Sequence, residues 1–192
     1  MTILILGLAI FLGTHSVRIF ADDWRTAQRA KYGERAWKLG YTLLSLLGFG
    51  LVVWGFGMAR REAHVLWNPP TAMRHVAALL TLIAFVLLAA AYMPRNGIKA
   101  ALHHPMVLAV KVWALAHLLA NGTLADVILF GSFLVWAAMS YRAARKRDRE
   151  TGARYASGTM GGTVAAVAAG IAGWVVFAFW LHGWLIGVRP FP

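Results

Sequence analysis

The sequence predicts an all-α, polytopic membrane protein with six transmembrane helices, and two properties of the chain support this. Of its 192 residues, 60% are hydrophobic and only 14% are charged, whereas about a quarter of the residues of a soluble domain are charged. The apolar residues also form long runs, and roughly 20 such residues in a helix cross a hydrocarbon core about 30 Å thick. We therefore expect residues 1–192 to form one integral membrane domain whose immediate partner is the lipid bilayer.

Six apolar runs of suitable length follow one another along the chain. Asn68-Pro69-Pro70 and Pro94 separate neighbouring runs, because proline lacks an amide donor and restricts the residue before it. Thr123 and Asp126 have the spacing of a helix-starting capping box. Lys111 interrupts the fourth run, which is therefore the weakest candidate. The expected spans are residues 2–21, 37–59, 73–93, 104–120, 124–141 and 160–187.

The formal net charge of +12 is unevenly distributed along the chain. Thirteen of the 19 Lys and Arg residues lie in the first, third and fifth connections, and four lie in the other connections and the C-terminal tail. The positive-inside rule then predicts that the odd-numbered connections face the cytoplasm and that both termini lie outside. Because the basic residues serve to orient the helices, no nucleic-acid partner is expected.

Histidines within apolar runs are the candidate functional residues, because an ionisable group in lipid is costly unless it is paired or used. His15 and His117 lie several residues inside their runs, and two neutral imidazoles can hold a haem iron axially. His15 lies roughly 9 Å and His117 roughly 20 Å from the cytoplasmic ends of their spans, an offset of about 10 Å. A haem held by both would therefore be tilted. His75 is the competing partner for His117, and His104 is a further candidate ligand.

Two cations accompany these histidines. Arg18 follows His15 by three residues and shares its helix face, and Lys111 precedes His117 by six residues. Both suit the anionic propionates of a haem, and the alternative is that they extend toward the membrane surface. The chain has no cysteine, which excludes iron–sulfur clusters and thiolate ligation of haem.

Four segments, in this order, resemble the NnrU family. They are Gly13-Thr14-His15-Ser16-Val17-Arg18, Leu66-Trp67-Asn68-Pro69-Pro70, the run from Ile98 to Pro105, and the run from Lys111 to Thr123. The resemblance implies a bacterial inner-membrane protein, in which termini on the outer side, as the basic residues predict, would lie in the periplasm. It also implies a role in denitrification, with the nitrite or nitric oxide reductase system as the partner.

The NnrU family is itself similar to the plastid 15-cis-ζ-carotene isomerase, in which two histidines hold haem b. The matching residues are His15, followed by Ser16, and His117, preceded by Ala116. This similarity implies haem b as the cofactor and these two histidines as its iron ligands. Ala114 stands where the isomerase has a cysteine linked to a redox-dependent change of ligand, so no such change is expected.

Three functions remain open from the sequence. The first is a haem b protein that supports nitrogen-oxide metabolism as an accessory, electron-transfer or sensing component. The second is an isomerase acting on a lipid-soluble polyene, and the third is an assembly factor without a cofactor. His104-Pro105-Met106 also resembles a degenerate form of the Arg-His-Pro-x-Tyr segment of membrane methyltransferases. The missing Arg and Tyr argue against that activity, although the folds could be related.

Overall fold

The computed structural model describes residues 1–191, and its secondary structure is helical, as the sequence predicts. The elements follow in the order α1 (Thr2–Phe20), α2 (Asp22–Tyr32), α3 (Glu34–Ala59), α4 (Ala72–Tyr92), α5 (Gly97–Leu102), α6 (Pro105–Ala120), α7 (Leu124–Thr151), α8 (Met160–Val176), a π-helical turn (Phe177–Leu181) and α9 (His182–Ile186).

Five helical segments within residues 1–191 are long and apolar enough to cross a membrane: α1, α3, α4, α7 and the continuous stretch from α8 through α9. The remaining apolar helix, α6, has 16 residues and rises about 24 Å, less than the roughly 30 Å of a hydrocarbon core. The structure therefore establishes five candidate spans, and the sixth crossing stays a prediction.

Two predicted loops are largely helical. The first connection, expected over residues 22–38, contains α2 and the start of α3, and Gly33 separates the two helices with a φ of 82°. Span five was expected to end at residue 141, yet α7 continues to Thr151 and ends at Gly152 in the left-handed conformation. The apolar pattern ends with the membrane, but Arg, Lys and Glu are good helix formers and prolong the helix beyond it.

The helices pack side by side in the order α3, α1, α7, α6, α4, α8. The antiparallel α1–α3 pair is held close by glycines, because a Cβ on Gly7 or Gly48 would lie within 3 Å of the other helix's backbone. In lipid, such small residues allow close van der Waals contact between helices. The buried core lies where α1, α3, α6 and α7 meet, around Leu4, Leu8 and Phe130.

The two ends of this bundle differ in charge. One end, called here the basic end, contains α2, α5 and the last turns of α7, with most of the Lys and Arg residues. At the opposite end, Leu66 N donates to Gly122 O (2.8 Å), so the loop before α4 packs on the turn between α6 and α7. Helix α6 starts beside Asp148 at the basic end and finishes at this turn.

The glycine contacts predict unequal effects of the same substitution on α3. Gly48→Ala should lower the thermal unfolding temperature in detergent, because overpacking a helix contact costs about 1–3 kcal/mol. Gly50→Ala is the matched control, because nothing lies within 4 Å of its Cβ position. Equal unfolding temperatures for the two variants would show that Gly48 is not needed for the α1–α3 contact.

Candidate functional site

His15 lies on α1 with one ring nitrogen already engaged. Its Nδ1 is 2.7 Å from the carbonyl oxygen of Phe11, one turn earlier in the same helix. Since a carbonyl only accepts, Nδ1 carries the hydrogen and Nε2 is left as the acceptor nitrogen. Aromatic rings surround the imidazole, with centroid distances of 4.3 Å to Phe11, 5.2 Å to Tyr41 and 6.1 Å to Trp136.

His117 repeats this local arrangement near the end of α6. Its Nδ1 lies 2.8 Å from the carbonyl oxygen of Trp113, again four residues earlier. The ring stacks on Phe130 of α7, with a centroid distance of 4.5 Å and an interplanar angle of 27°. Both imidazoles thus have a fixed orientation, and the Nε2 atom of each remains the acceptor nitrogen.

A chain of aromatic rings joins the two histidines. Phe133 of α7 lies between Phe11 (5.9 Å) and Trp113 (5.5 Å), which neighbour His15 and His117 respectively. Helices α1 and α6 both pack on α7, and among the described residues their own Cα atoms do not come within 8 Å of each other. The two histidine-bearing helices are therefore connected through α7 and these aromatic side chains.

The levels of the two histidines can be compared along α7. His15 is next to Trp136, and His117 stacks on Phe130. These two α7 residues are six positions apart, which corresponds to about 9 Å along the helix axis. This offset is close to the one expected from the sequence.

Within residues 1–191, two buried polar side-chain atoms have no hydrogen-bond partner, and one of them lies beside His15. One is the indole Nε1 of Trp136, whose ring lies edge-on to the imidazole. The other is the hydroxyl of Ser45, one turn beyond Tyr41 on α3. Buried polar atoms are nearly always paired, so this part of the interior suits a group that carries polar atoms.

The remaining predicted site residues lie at the surface. Arg18 is exposed near the end of α1, where its carbonyl oxygen accepts from Nη1 of Arg147 (3.1 Å). Lys111 is exposed on α6, about 120° around the helix from His117. His75 is exposed on α4. His15 and His117 thus share one aromatic interior, whereas Lys111 lies on a different face of α6.

A second polar cluster, at the basic end, includes residues that sequence reasoning did not connect. One carboxylate oxygen, Oδ2 of Asp148, lies 2.9 Å from His104 Nε2, 3.2 Å from His103 Nδ1 and 3.3 Å from Arg145 Nη1. The hydroxyl of Tyr155 donates to Asp148 Oδ1 (3.2 Å). The cluster ties the start of α6 and the segment after α7 to the last turns of α7.

Tyr155 illustrates the electrostatics of this cluster outside the membrane. Partial burial, together with the adjacent Asp148 carboxylate, raises the pKa of the Tyr155 phenol. The phenol therefore stays protonated and remains a donor at neutral pH. The sequence signal for this cluster was weak, because Asp148 stands among basic residues and only folding brings it to the adjacent pair His103 and His104.

No group of three or more His, Cys, Asp or Glu side chains that could hold a metal ion occurs in the part of the chain that the structure describes. The candidate site is therefore the histidine pair of the aromatic interior, and not a protein cage for a bare ion. Two histidines can hold a haem iron, because the macrocycle supplies the other donors.

Long apolar helices and an aromatic interior define the chain as a multi-pass α-helical membrane protein. The family model described as NnrU protein matches residues 3–190, so the chain belongs to the NnrU family. NnrU proteins are membrane proteins associated with denitrification. No curated protein and no solved structure matches the chain.

The Asp148 cluster predicts a specific loss of stability. Asp148→Asn removes the charge that four donors share, and a hydrogen bond to a charged group contributes about 1.5–3 kcal/mol. We expect a clearly lower unfolding temperature in detergent at neutral pH. Glu150→Gln is the control, because Glu150 is exposed and pairs with Lys146 at 3.6 Å. If both variants unfold like the unmodified protein, the cluster does not stabilise the basic end.

Proposed function

We propose that this NnrU family protein binds haem b through His15 and His117 and supports nitrogen-oxide metabolism as an accessory, electron-transfer or sensing component. The observation that carries the proposal is the matched setting of the two imidazoles. Each donates from Nδ1 to the carbonyl four residues earlier, and such a second partner fixes a ligating histidine and raises its basicity.

The residues present suit haem in three respects. Each imidazole leaves its Nε2 as the acceptor nitrogen that would hold the iron, α1 and α6 both pack on α7 without contact between their own backbones, and the unpaired indole Nε1 of Trp136 lies beside His15. The rings of Phe11, Trp113 and Phe133 occupy the intervening space, so the fit requires these side chains to turn aside. Their apolar surfaces would then exclude water from the cofactor.

Bound haem b would supply one-electron redox chemistry. Coordination by both His15 and His117 would favour electron transfer over gas binding. His15 and His117 would hold and orient the cofactor, and Arg18 would stand near the exposed end of α1 as a partner for a propionate.

Isomerisation of a lipid-soluble polyene is the second candidate function. Ala114 is fully buried at the position of the isomerase cysteine, and its methyl group cannot serve as a redox-linked ligand. The resemblance of His15 and His117 to the isomerase ligands favours this candidate, whereas Ala114 favours electron transfer. Conversion of a cis-polyene by the purified protein would favour isomerisation over electron transfer.

Removal of either ligand should lower the haem content of the purified protein. We expect His15→Ala and His117→Ala each to reduce the ratio of haem to protein at least severalfold, measured as the pyridine haemochrome. His75→Ala is the matched control, because His75 is exposed on α4. Loss of haem in His75→Ala with full retention in His15→Ala would identify a different ligand pair.

The topology that accompanies this proposal has six crossings and both termini in the periplasm. Its support is the course of α6, which runs from the Asp148 cluster to the turn beside Leu66, between the same two ends as the longer helices. The course of α6 thus supports the proposed sixth crossing, although its length alone falls short.

The absence of cysteine makes this topology directly testable with single cysteine variants. We expect a membrane-impermeant maleimide to label Glu62→Cys in intact spheroplasts, because Glu62 is exposed at the end opposite to the basic end. Arg149→Cys, exposed at the basic end, should react only after lysis. The reverse pattern would invert the proposed orientation.

A further inference from the structure

The short helix α2 lies at the basic end of the bundle, where the apolar run of α1 ends. It contacts α1 and α3, and none of the residues Asp22–Tyr32 is buried. The aromatic side chains of Phe20, Trp24 and Tyr32 are exposed there. Aromatic rings are enriched where the hydrocarbon of a bilayer meets its headgroups, and this position of α2 therefore corresponds to the headgroup level.

Helix α3 holds the outer side of α2 at this level. The ring of Trp24 packs edge-on against Trp37, with a centroid distance of 5.8 Å, and Trp37 begins the apolar run of α3. Asp23 and Lys31 are exposed on the same outer side of α2. The apolar end of α1 and the apolar start of α3 thus both adjoin α2.

Four arginines from three helices lie close together on the inner side of α2. This arginine cluster consists of Arg18 of α1, Arg25 and Arg29 of α2, and Arg147 of α7. Nη1 of Arg147 donates to the carbonyl oxygen of Arg18 (3.1 Å), and the positive charges of all three other arginines act on the Arg18 guanidinium. Arg25 and Arg29 are both partly buried and, being four residues apart, share one face of α2.

The acidic residues beside this cluster are too few to balance it. Asp22 pairs with Arg25 at 3.1 Å. Glu34 lies 3.7 Å from Arg29, but its Oε1 is only 2.7 Å from Nζ of Lys38. Two carboxylates, one of them shared with Lys38, therefore face four guanidinium groups. Like charges held together repel one another, and a bound anion would offset this repulsion.

We propose that the arginine cluster binds the phosphate group of an anionic phospholipid from the leaflet at the basic end. Guanidinium groups form paired, charge-assisted hydrogen bonds with phosphate oxygens, and Arg25, Arg29 and Arg147 would donate them. Phe20 and Trp24 would lie beside the glycerol and the first acyl carbons. The inference goes beyond the proposed function and does not depend on haem.

Other roles compete for the same arginines. A free phosphate ion offers the same oxygens, and a haem propionate is the partner proposed above for Arg18. The arginines also complement the negative C-terminal end of α1, which needs no ligand. The exposed rings of Phe20 and Trp24 favour the phospholipid, because a free phosphate has no apolar part to place against them and the proposed haem lies in the interior.

The test uses the full-length protein in a neutral detergent, with dioleoylphosphatidylglycerol as the probe. Dioleoylphosphatidylcholine has the same acyl chains but no net charge and serves for comparison. Native mass spectrometry gives the dissociation constant of the first bound lipid. Arg25→Gln and Arg147→Gln each remove one charge from the cluster, and Arg149→Gln is the matched control, because Arg149 is exposed on α7 at the same end.

Phosphatidylglycerol should bind the unmodified protein more tightly than phosphatidylcholine does, and inorganic phosphate should not displace it. Arg25→Gln and Arg147→Gln should each weaken this binding about fivefold, the effect of one basic residue near anionic lipid. Arg149→Gln should change it less than about twofold, because salt screens exposed charges. If Arg25→Gln lowers the unfolding temperature without lipid, Arg25→Lys and Arg147→Gln decide, and Arg25→Lys should retain most of the binding.

Several results would overturn the proposal. Equal weakening by Arg25→Gln, Arg147→Gln and Arg149→Gln would show a diffuse positive surface without a site. Equal binding of the two lipids, or displacement by an equal concentration of inorganic phosphate, would reject the phospholipid.

Unchanged lipid binding in Arg25→Gln and Arg147→Gln would also reject it. Loss of Soret absorption in these variants would then assign the cluster to the haem propionates, and a lower unfolding temperature alone would assign it to the end of α1. Specific lipid binding by a protein without Soret absorption would reject the haem proposal and leave the lipid site in place.

Discussion

The constraint on which this structure depends is that polar groups inside a bilayer must find partners within the protein, because the hydrocarbon offers none. Several polar side chains along the apolar helices satisfy it, either within one helix or between two helices. Thr14 donates to the carbonyl of Ile10 (2.7 Å), and Trp174 donates to the hydroxyl of Thr81 (3.0 Å). His15 and His117 use the same solution for one ring nitrogen each, which leaves the other nitrogen of each ring for another partner.

Because of this constraint, polar groups in the apolar helices that lack a full set of partners are informative. A histidine costs more in lipid than an apolar residue of similar size, and its anchoring to a carbonyl satisfies only half of the ring. The two histidines lie on helices that both pack on α7 and are joined through Phe11, Phe133 and Trp113. Together with the unpaired indole of Trp136, they are the basis for the proposed site between α1, α6 and α7.

Hydropathy was sufficient to predict the helical class and five of the long helices, because a bilayer imposes length and apolarity on each span. It could not predict α2 or the last turns of α7, where helix propensity and the capping residues Gly33 and Gly152 set the limits. Hydropathy also did not indicate that Asp148 contacts His103 and His104, which are about 45 residues away along the chain. Such contacts depend on tertiary packing and leave no periodic signal in the sequence.

The candidate site, like the fold, was predicted only in part from the sequence. The sequence singled out His15 and His117 because they are ionisable residues in apolar runs, and the structure shows how each ring is oriented. The contacts of Trp136 and Phe133 depend on which face of α7 meets α1, and that face is known only from the fold.

The absorption spectrum of the unmodified protein, purified in detergent and recorded before and after reduction with dithionite, tests the central claim most directly. Haem b held by two histidines gives a sharp Soret band and, on reduction, resolved α and β bands. A colourless protein that takes up no added haemin would contradict the account, and His15 and His117 would then be polar anchors of an assembly factor without a cofactor.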